Sequence, residues 1–172
     1  MTNIIEIEDL ADKLDIGRRL LGIDLGSKTI GLATSDIGNS IATPLETLKR
    51  GKFGVNVVEL AKIIEEYSIY AVVIGLPKNM DNSEGPRCQA TRAFVRNMAN
   101  APALNGIKVC FWDERGSTMA VTNTLIEADV SRAKRKDVVD KLAAGFILQG
   151  AVDRIYDLRV TSGKIIEDEY DY

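Results

Sequence analysis

The run YAVVIGL at residues 70–76 constrains the fold more than any other part of the sequence. It carries no charge, and Pro77 follows it directly. An uninterrupted apolar run of this length is typical of a strand that is buried on both faces. Such strands occur in parallel sheets that have helices on both sides. The chain should therefore fold as an α/β protein around a buried sheet.

Two more apolar strands are expected at residues 19–25 and 29–35, joined by a tight turn at Ser27 and Lys28. The other expected elements are two strands, near 41–48 and 107–112, and four helices, near 55–67, 86–100, 118–128 and 133–155. The last helix should pack through one apolar seam, formed by Val139, Leu142, Phe146 and Gly150. This order predicts a mixed five-stranded sheet flanked by helices.

The length of 172 residues fits one folded domain with its own core. Residues 1–18 form an N-terminal extension, in which Ile5, Leu10, Leu14 and Ile16 suggest a short amphipathic helix. The main domain is expected to cover residues 19–158. Residues 159–172 form an acidic tail.

The composition excludes several kinds of active site. The chain has no histidine, which removes Ser-His-Asp hydrolysis, Cys-His attack and His-ligated zinc. Its two cysteines, Cys88 and Cys110, form no C-x-x-C pair, and Cys110 has the apolar neighbours of a core residue. We find no leader pattern and no apolar stretch that could span a bilayer. The expected location is the cytoplasm, with no membrane partner.

Charge is distributed unevenly along the chain. The net charge is -3, but acidic residues are concentrated at the two ends, so the central part is slightly basic. An acidic overall composition therefore does not argue against nucleic acid as a partner, because binding depends on the local distribution of charge and not on the net charge. The basic residues close to the apolar elements are Lys28, Arg87, Arg92, Arg115, Arg132, Lys134, Arg135 and Lys136.

Acidic residues stand at the ends of the expected buried elements. Asp24 comes late in an apolar strand, Asp113 and Glu114 follow the strand at 107–112, and Asp140 lies in the last helix. Each has an ordinary structural explanation when taken alone: a turn aspartate, a solvated loop, or a helix-surface ion pair. Together, three acids without histidine are the oxygen ligands that Mg²⁺ or Mn²⁺ prefers. Such ions can promote phosphodiester hydrolysis.

Four ordered motifs carry a resemblance to a known family. The segments are GIDLGSKTIGLATSD, VVIGLPKNMDNSEGPR, WDERGST and SRAKRKDVVDKLAAGFILQG, within about residues 19–155. They closely resemble the YqgF/RuvX family of ribonuclease H-like nucleases. The resemblance implies a ribonuclease H-like fold and a bacterial cytoplasmic nuclease that matures the 5′ end of precursor 16S ribosomal RNA. Structured RNA and ribosomal precursor particles are then the expected partners.

The resemblance also implies roles for individual residues. Asp24, Glu114 and Asp140 match the metal-binding and catalytic acids, with Mg²⁺ or Mn²⁺ as cofactor, and Asp113 is an assisting neighbour. Three residues match a segment close to the substrate: Asn79, Arg87 and Arg92. The family commonly has leucine after the D-E-R triplet, where this chain has Gly116.

Three other functions remain open from the sequence. One is resolution of Holliday junctions in branched DNA, an earlier assignment for the same family. Another is a nucleic-acid-binding module without catalysis, in which the acids only support the structure. The third follows from GIDLGSKTIGLA, which also resembles the phosphate-binding hairpin of actin-like and sugar kinases. Those kinases need two facing domains, and this chain is long enough for one. Monomer and dimer are both compatible with the sequence.

Overall fold

The computed structural model describes residues 3–15, 17–114 and 132–164, and it describes residues 132–137 by their backbone only. The expected helix at 118–128 lies outside these ranges, as do Arg115 and Gly116. These ranges include the sheet, helices on both of its faces and the last helix.

The core is one mixed sheet with the strand order β3-β2-β1-β4-β5. The strands are β1 (Arg19–Leu25), β2 (Thr29–Ser35), β3 (Ala42–Lys49), β4 (Ile69–Leu76) and β5 (Lys108–Asp113). The first three form an antiparallel meander, and β4 and β5 add in parallel on the other side of β1. The mixed five-stranded sheet predicted from the sequence is confirmed.

Helices cover both faces of this sheet. They are α1 (Ile7–Lys13), α2 (Phe53–Glu66), α3 (Pro86–Asn100) and α4 (Arg132–Thr161), with a short 3-10 turn at Pro102–Leu104. Helices α2 and α3 share a hydrophobic core with one face, and α1 and α4 share a second core with the other. Within the described ranges, none of these helices has the length and apolar character that crossing a bilayer requires.

The seam predicted for α4 is wrong at Phe146, which is 46% exposed. The residues that α4 buries against the sheet are Ala143, Ala144, Ile147, Leu148, Ala151, Val152 and Ile155. Three of them are alanines, which allow the helix backbone to lie close to the sheet. Phe146 lies on the opposite side of the helix from this buried set, which repeats at intervals of three and four residues.

The N-terminal segment is packed against the α4 side of the sheet. Leu10 is fully buried there, and Ile4 forms a parallel bridge to Val109. This bridge covers part of the outer edge of β5, which reduces the exposed edge that could pair with another chain. The guanidinium of Arg159 donates to the carbonyl oxygens of Ala11 and Leu14, each at 2.8 Å. Helix α4 thus caps the C-terminal end of α1.

Candidate functional site

Strand alternation places Asp24 and Glu114 on the same face of the sheet. In β1, Ile23 and Leu25 belong to the core under α2 and α3, so Asp24 points to the α4 side. In β5, Cys110 and Trp112 belong to the α4 core, and Glu114 continues that alternation just beyond the strand. Asp140 comes from α4 itself. All three predicted acids therefore lie between the sheet and α4.

A glycine in β4 allows Glu114 to reach Asp24. Strand β4 lies between β1 and β5, so the Glu114 side chain must cross it. It does so at Gly75, where an added Cβ would overlap Glu114 Oε2 and would lie 2.6 Å from the Cδ1 of Ile147. Any side chain at this position would displace the Glu114 carboxylate and the end of the Ile147 side chain. Gly75 is thus part of the site although it has no functional group.

A second glycine sets the position of Asp140. Gly31 of β2 is directly opposite Asp24 in the antiparallel register. A Cβ at Gly31 would overlap the carbonyl oxygen of Asp140, so the backbone of α4 rests on the strand at this point. The hydroxyl of Thr29 donates a hydrogen bond to Asp140 Oδ2 and orients that carboxylate. Helix α4 is therefore held over the strand that carries Asp24.

Burial raises the pKa of both carboxyl groups in the Asp24–Glu114 pair. The pKa of Asp24 is raised to about 6, mainly because its side chain is removed from water, with a contribution from the negative charge of Asp140. The pKa of Glu114 is raised to about 8, by burial first and then by the charge of Asp24. Glu114 is the proton donor in the hydrogen bond that joins them. The pair therefore holds one proton near pH 7.

The pair lacks a full set of hydrogen-bond partners. Glu114 Oε2 is buried and has no hydrogen-bond partner among the residues that the structure describes. Nearby positive charge comes from Arg87, which lowers the pKa of Asp24 and of Glu114. A buried, unsatisfied carboxylate oxygen is unfavourable in a protein interior. Such an oxygen beside a second carboxylate is the type of ligand that a divalent cation takes.

The three acids do not form a closed cage. Among residues 3–15, 17–114 and 132–164, no group of three acidic residues, cysteines or histidines has the spacing of a metal site. Asp24 and Glu114 are in direct contact, whereas Asp140 is bonded to Thr29 and acts on Asp24 through its charge. Mg²⁺ is commonly held by one or two carboxylates, with waters and substrate phosphates completing its shell. The pair fits that mode of binding.

Of the other predicted binding residues, two line a cleft beside the acids and two, Asn79 and Arg92, do not. Lys28 and Arg87 are exposed and line a cleft of about 1110 Å³ beside the acids. Asn79 is exposed in the loop before α3, where its amide donates to the Ser83 hydroxyl at 2.9 Å. Arg92 pairs with Glu84 through two hydrogen bonds of 2.6 and 2.9 Å.

Arg92 also lies over the ring of Phe111, with 4.9 Å from its guanidinium carbon to the ring centre. In this position it ties the loop that carries Glu84 to α3 and β5. Its contacts with Glu84 and Phe111 are those of a structural residue.

The remaining candidates are Asp113, Arg115 and the basic run at the start of α4. Asp113 is exposed, and its charge contributes to the raised pKa of Glu114. Arg115 and the side chains of Arg132, Lys134, Arg135 and Lys136 lie outside the described residues. The backbone of this basic run forms the first turns of α4.

Sequence reasoning missed four residues at this location. Lys49 and Arg50, at the end of β3, line the same cleft as Lys28 and Arg87. Gly31 and Gly75 provide the space in which Asp140 and Glu114 lie. A glycine inside an apolar strand indicates a close approach of another group, which was the available signal for both glycines.

Comparison with known proteins identifies the family. A family profile described as "RuvX: Holliday junction resolvase" matches residues 18–154. The chain belongs to the RuvX family. A RuvX relative from Methylocella silvestris, "Putative pre-16S rRNA nuclease", is 55% identical over 152 residues, covering 88% of this chain and 92% of the relative. A second, from Beijerinckia indica subsp. indica and with the same name, is 52% identical over 163 residues, covering 95% and 97%.

Solved structures agree with this assignment at the level of the fold. A complex titled "Crystal structure of Fowlpox virus resolvase and substrate Holliday junction DNA complex" matches with a TM-score of 0.50 and 11% identity. The match covers 80% of this chain and 98% of the viral chain. This RuvX chain has a ribonuclease H-like fold, as the sequence resemblance predicted.

Proposed function

We propose that this protein is a metal-dependent nuclease that matures the 5′ end of precursor 16S ribosomal RNA. The observation that carries the proposal is the buried Asp24–Glu114 pair, which shares a proton and has an unsatisfied oxygen. The RNA substrate is inferred from the names of relatives that are half identical and nearly equal in length. The expected partners are precursor ribosomal particles, and the expected location is the cytoplasm.

Asp24 and Glu114 would hold Mg²⁺ or Mn²⁺, with Asp140 as the third acid. The bound cation would supply positive charge at the phosphodiester oxygens and would favour ionisation of an attacking water. Because the cation must replace the proton shared by the pair, its binding should release protons and weaken as the pH falls. The low-dielectric surroundings that raise both pKa values also strengthen the attraction of the pair for a divalent cation.

The other residues of the site would bind and orient the substrate. Arg87 is close enough to lower the pKa of both acids, so its guanidinium can donate to a phosphate oxygen positioned at the pair. Thr29 fixes the Asp140 carboxylate, which limits the motion of that acid while the substrate binds. Helix α4 covers the sheet face beside them and reduces the access of water.

Cleavage of two matched substrates tests the proposal. Purified protein is incubated with a precursor 16S RNA fragment and with a four-way DNA junction, each with Mg²⁺, with Mn²⁺ and with a chelator. We expect metal-dependent cleavage of the RNA, and loss of that cleavage in Asp24→Asn. The control is Asp157→Asn, which removes an exposed acid seventeen residues further along α4, about 25 Å along the helix axis.

The same experiment decides between this function and two alternatives. Preferential cleavage of the DNA junction would favour Holliday junction resolution, in agreement with the description of the family profile. Binding of nucleic acid without cleavage under any of these metal conditions would indicate a binding module. RNA cleavage that persists at the wild-type rate in Asp24→Asn would contradict the assigned site.

A further inference from the structure

We propose that the cleft beside the acids binds one unpaired nucleotide, adjacent to the phosphodiester that is cut. The inference rests on the proposed nuclease function and specifies the form of nucleic acid that the site accepts. A strand reaching the acids through this cleft would need at least one base that is neither stacked nor paired.

The cleft is continuous with the acidic site. Its walls are the β1–β2 turn, the end of β3, the first turns of α3, and Val139 and Asp140 of α4. Its volume is about 1110 Å³. Asp140 and Arg87 line it, and so does Leu25, the residue directly after Asp24. A nucleotide in the cleft would therefore have one of its phosphates close to the acids. The volume is slightly above the range of about 300–1,000 Å³ that is usual for small-molecule sites.

Part of the cleft is apolar, which a phosphate backbone alone does not require. Leu25 and Leu48 contribute from the sheet, Val139 from α4, and Pro86 and Ala90 from α3. Duplex nucleic acid keeps its base faces stacked inside the helix, so it presents phosphates and sugars to a protein surface. An unstacked base presents a flat apolar face that such a wall can contact. The lining therefore fits an extruded or single-stranded nucleotide.

Polar groups are placed for the phosphate and the sugar. Lys28 and Lys49 are exposed cations at the cleft, beside Arg87 from α3. Thr47 also lines the cleft, and its hydroxyl is shielded from solvent without a hydrogen-bond partner. Because that hydroxyl is shielded from solvent, the exposed donors of the cleft are Lys28, Lys49 and Arg87. The cleft thus combines an apolar wall with donors for anionic and neutral oxygens.

Two neighbouring basic residues have different roles in this arrangement. Arg50 donates from Nη1 to the carbonyl oxygen of Gly26 at 2.7 Å, and its backbone N–H donates to the carbonyl oxygen of Lys28 at 2.9 Å. Arg50 therefore positions the β1–β2 turn. The carbonyl of Lys49 accepts a 3.0 Å hydrogen bond from Asn56, which fixes the backbone and leaves the lysine side chain exposed. Lys49 is the proposed phosphate contact.

Binding of two RNAs tests whether the cleft takes an unpaired base. One is a hairpin with a short unpaired 5′ extension, and the other is the same hairpin with a blunt end, both titrated in chelator so that neither is cut. Ala90→Phe fills the cleft without changing charge, and Gln89→Phe adds the same ring at an exposed α3 position outside the cleft lining. We expect Ala90→Phe to weaken binding of the extended RNA on the order of tenfold, as for the loss of one stacked base. Binding of the blunt RNA should be unchanged.

A charge variant tests the phosphate contact independently of packing. Lys49→Ala should reduce the slope of log affinity against log salt by about 0.7 for the extended RNA, because one phosphate contact is lost. Lys62→Ala removes an exposed lysine on α2 and should leave the slope unchanged. Thermal melting of each variant checks that it is folded, and Lys49→Ala still decides the proposal if Ala90→Phe fails to fold.

Equal effects of Ala90→Phe on both RNAs, or an unchanged slope in Lys49→Ala, would overturn the cleft assignment. In that case metal-dependent cleavage by the wild-type protein would still support the nuclease function. The opposite result, selective binding of the extended RNA without any cleavage, would retain the cleft and contradict the nuclease function.

Discussion

At the scale of single residues, the pair Asp24 and Glu114 opposes folding when no cation is bound. The folded state holds protons that the unfolded state has already lost at pH 7, because both folded pKa values are raised. The metal-free protein should therefore lose stability as the pH rises from about 4, the unfolded pKa, through about 6 and 8. This is the opposite of the behaviour expected for a carboxylate in a salt bridge.

Asp24→Asn should accordingly be more stable than the wild type at pH 7 in chelator, by roughly 1–3 kcal/mol. The asparagine amide can donate to Glu114, and one charge of the acidic group is removed. At pH 4 the two proteins should be nearly equal. Urea unfolding at both pH values measures the difference, and added Mg²⁺ should stabilise only the wild type. A stability difference that is the same at pH 4 and pH 7 would contradict the burial of a raised-pKa acid at this position.

Gly75→Ala tests whether Glu114 must cross β4. The new methyl group would overlap Glu114 Oε2, so the carboxylate would move away from Asp24. We expect at least a tenfold loss of metal-dependent cleavage, with a stability loss of about 1–3 kcal/mol from overpacking. Gly54→Ala, at a position with open space, is the matched control and should keep full activity. Retention of wild-type cleavage by Gly75→Ala would show that Glu114 does not act from this position.

At the scale of the elements, the strands were more predictable than the contacts between layers. The buried strands are continuous apolar runs, and the turn at Ser27 and Lys28 connects β1 to β2 as expected. By contrast, the exposure of Phe146 depends on which side of α4 faces the sheet, and apolar residues lie on more than one side of this helix. The spacing of apolar residues identifies the apolar side of a helix, but the sheet against which the helix packs determines which of these residues become buried.

In the candidate site, too, individual residues were more predictable than the contacts between elements. Asp24, Glu114 and Asp140 could be proposed from motif resemblance and strand ends, and the structure brings the first two into contact. The cleft could not be predicted, because Lys49 and Ala90 come from elements far apart in the sequence. Nor does the sequence show that Arg92 is engaged by Glu84 rather than available to a phosphate.

The start of α4 carries a prediction that rests on its sequence and its backbone. The described helix runs over Arg132–Thr161, and Lys134, Arg135 and Lys136 lie four to six residues, between one and two turns, before Asp140. Cations at a helix N-terminus oppose the helix dipole by roughly 0.3–1 kcal/mol each at low salt. A basic run that is unfavourable there is more easily explained if it contacts the phosphates of a bound nucleic acid.

Changing Lys134, Arg135 and Lys136 together to Ala should weaken nucleic-acid binding about equally for all sequences. The log–log salt slope should fall by about 0.7–0.9 for each phosphate contact that is lost. Binding titrations at several salt concentrations compare the triple variant with the wild type. An unchanged slope would indicate that this run is a solvated helix surface. The phosphate contacts would then be limited to the cations of the cleft, Lys28, Lys49 and Arg87.

At the scale of the whole molecule, the described part of the chain forms one sheet with helices on both faces. The alternative reading of GIDLGSKTIGLA as a kinase hairpin requires two facing domains, and this sheet accounts for one. We therefore expect ATP with Mg²⁺ to give no rise in melting temperature beyond that from Mg²⁺ alone. Differential scanning fluorimetry with Mg²⁺, ATP and both together measures this. An ATP-specific rise would make a phosphoryl-transfer function the better hypothesis.

The cap that Arg159 provides for α1 has a consequence for the order of events during synthesis of the chain. Helix α1 is translated well before the guanidinium that completes its C-terminal end, because Arg159 comes 145 residues after Leu14. The same late segment, α4, covers the apolar sheet face that includes Leu20, Ala33 and Val73. That face stays uncovered until α4 has emerged from the ribosome, and transiently exposed apolar surface promotes aggregation. A nascent chain that stalls before α4 has emerged would therefore have a complete sheet, an uncovered apolar surface on one face and a strong tendency to bind a chaperone.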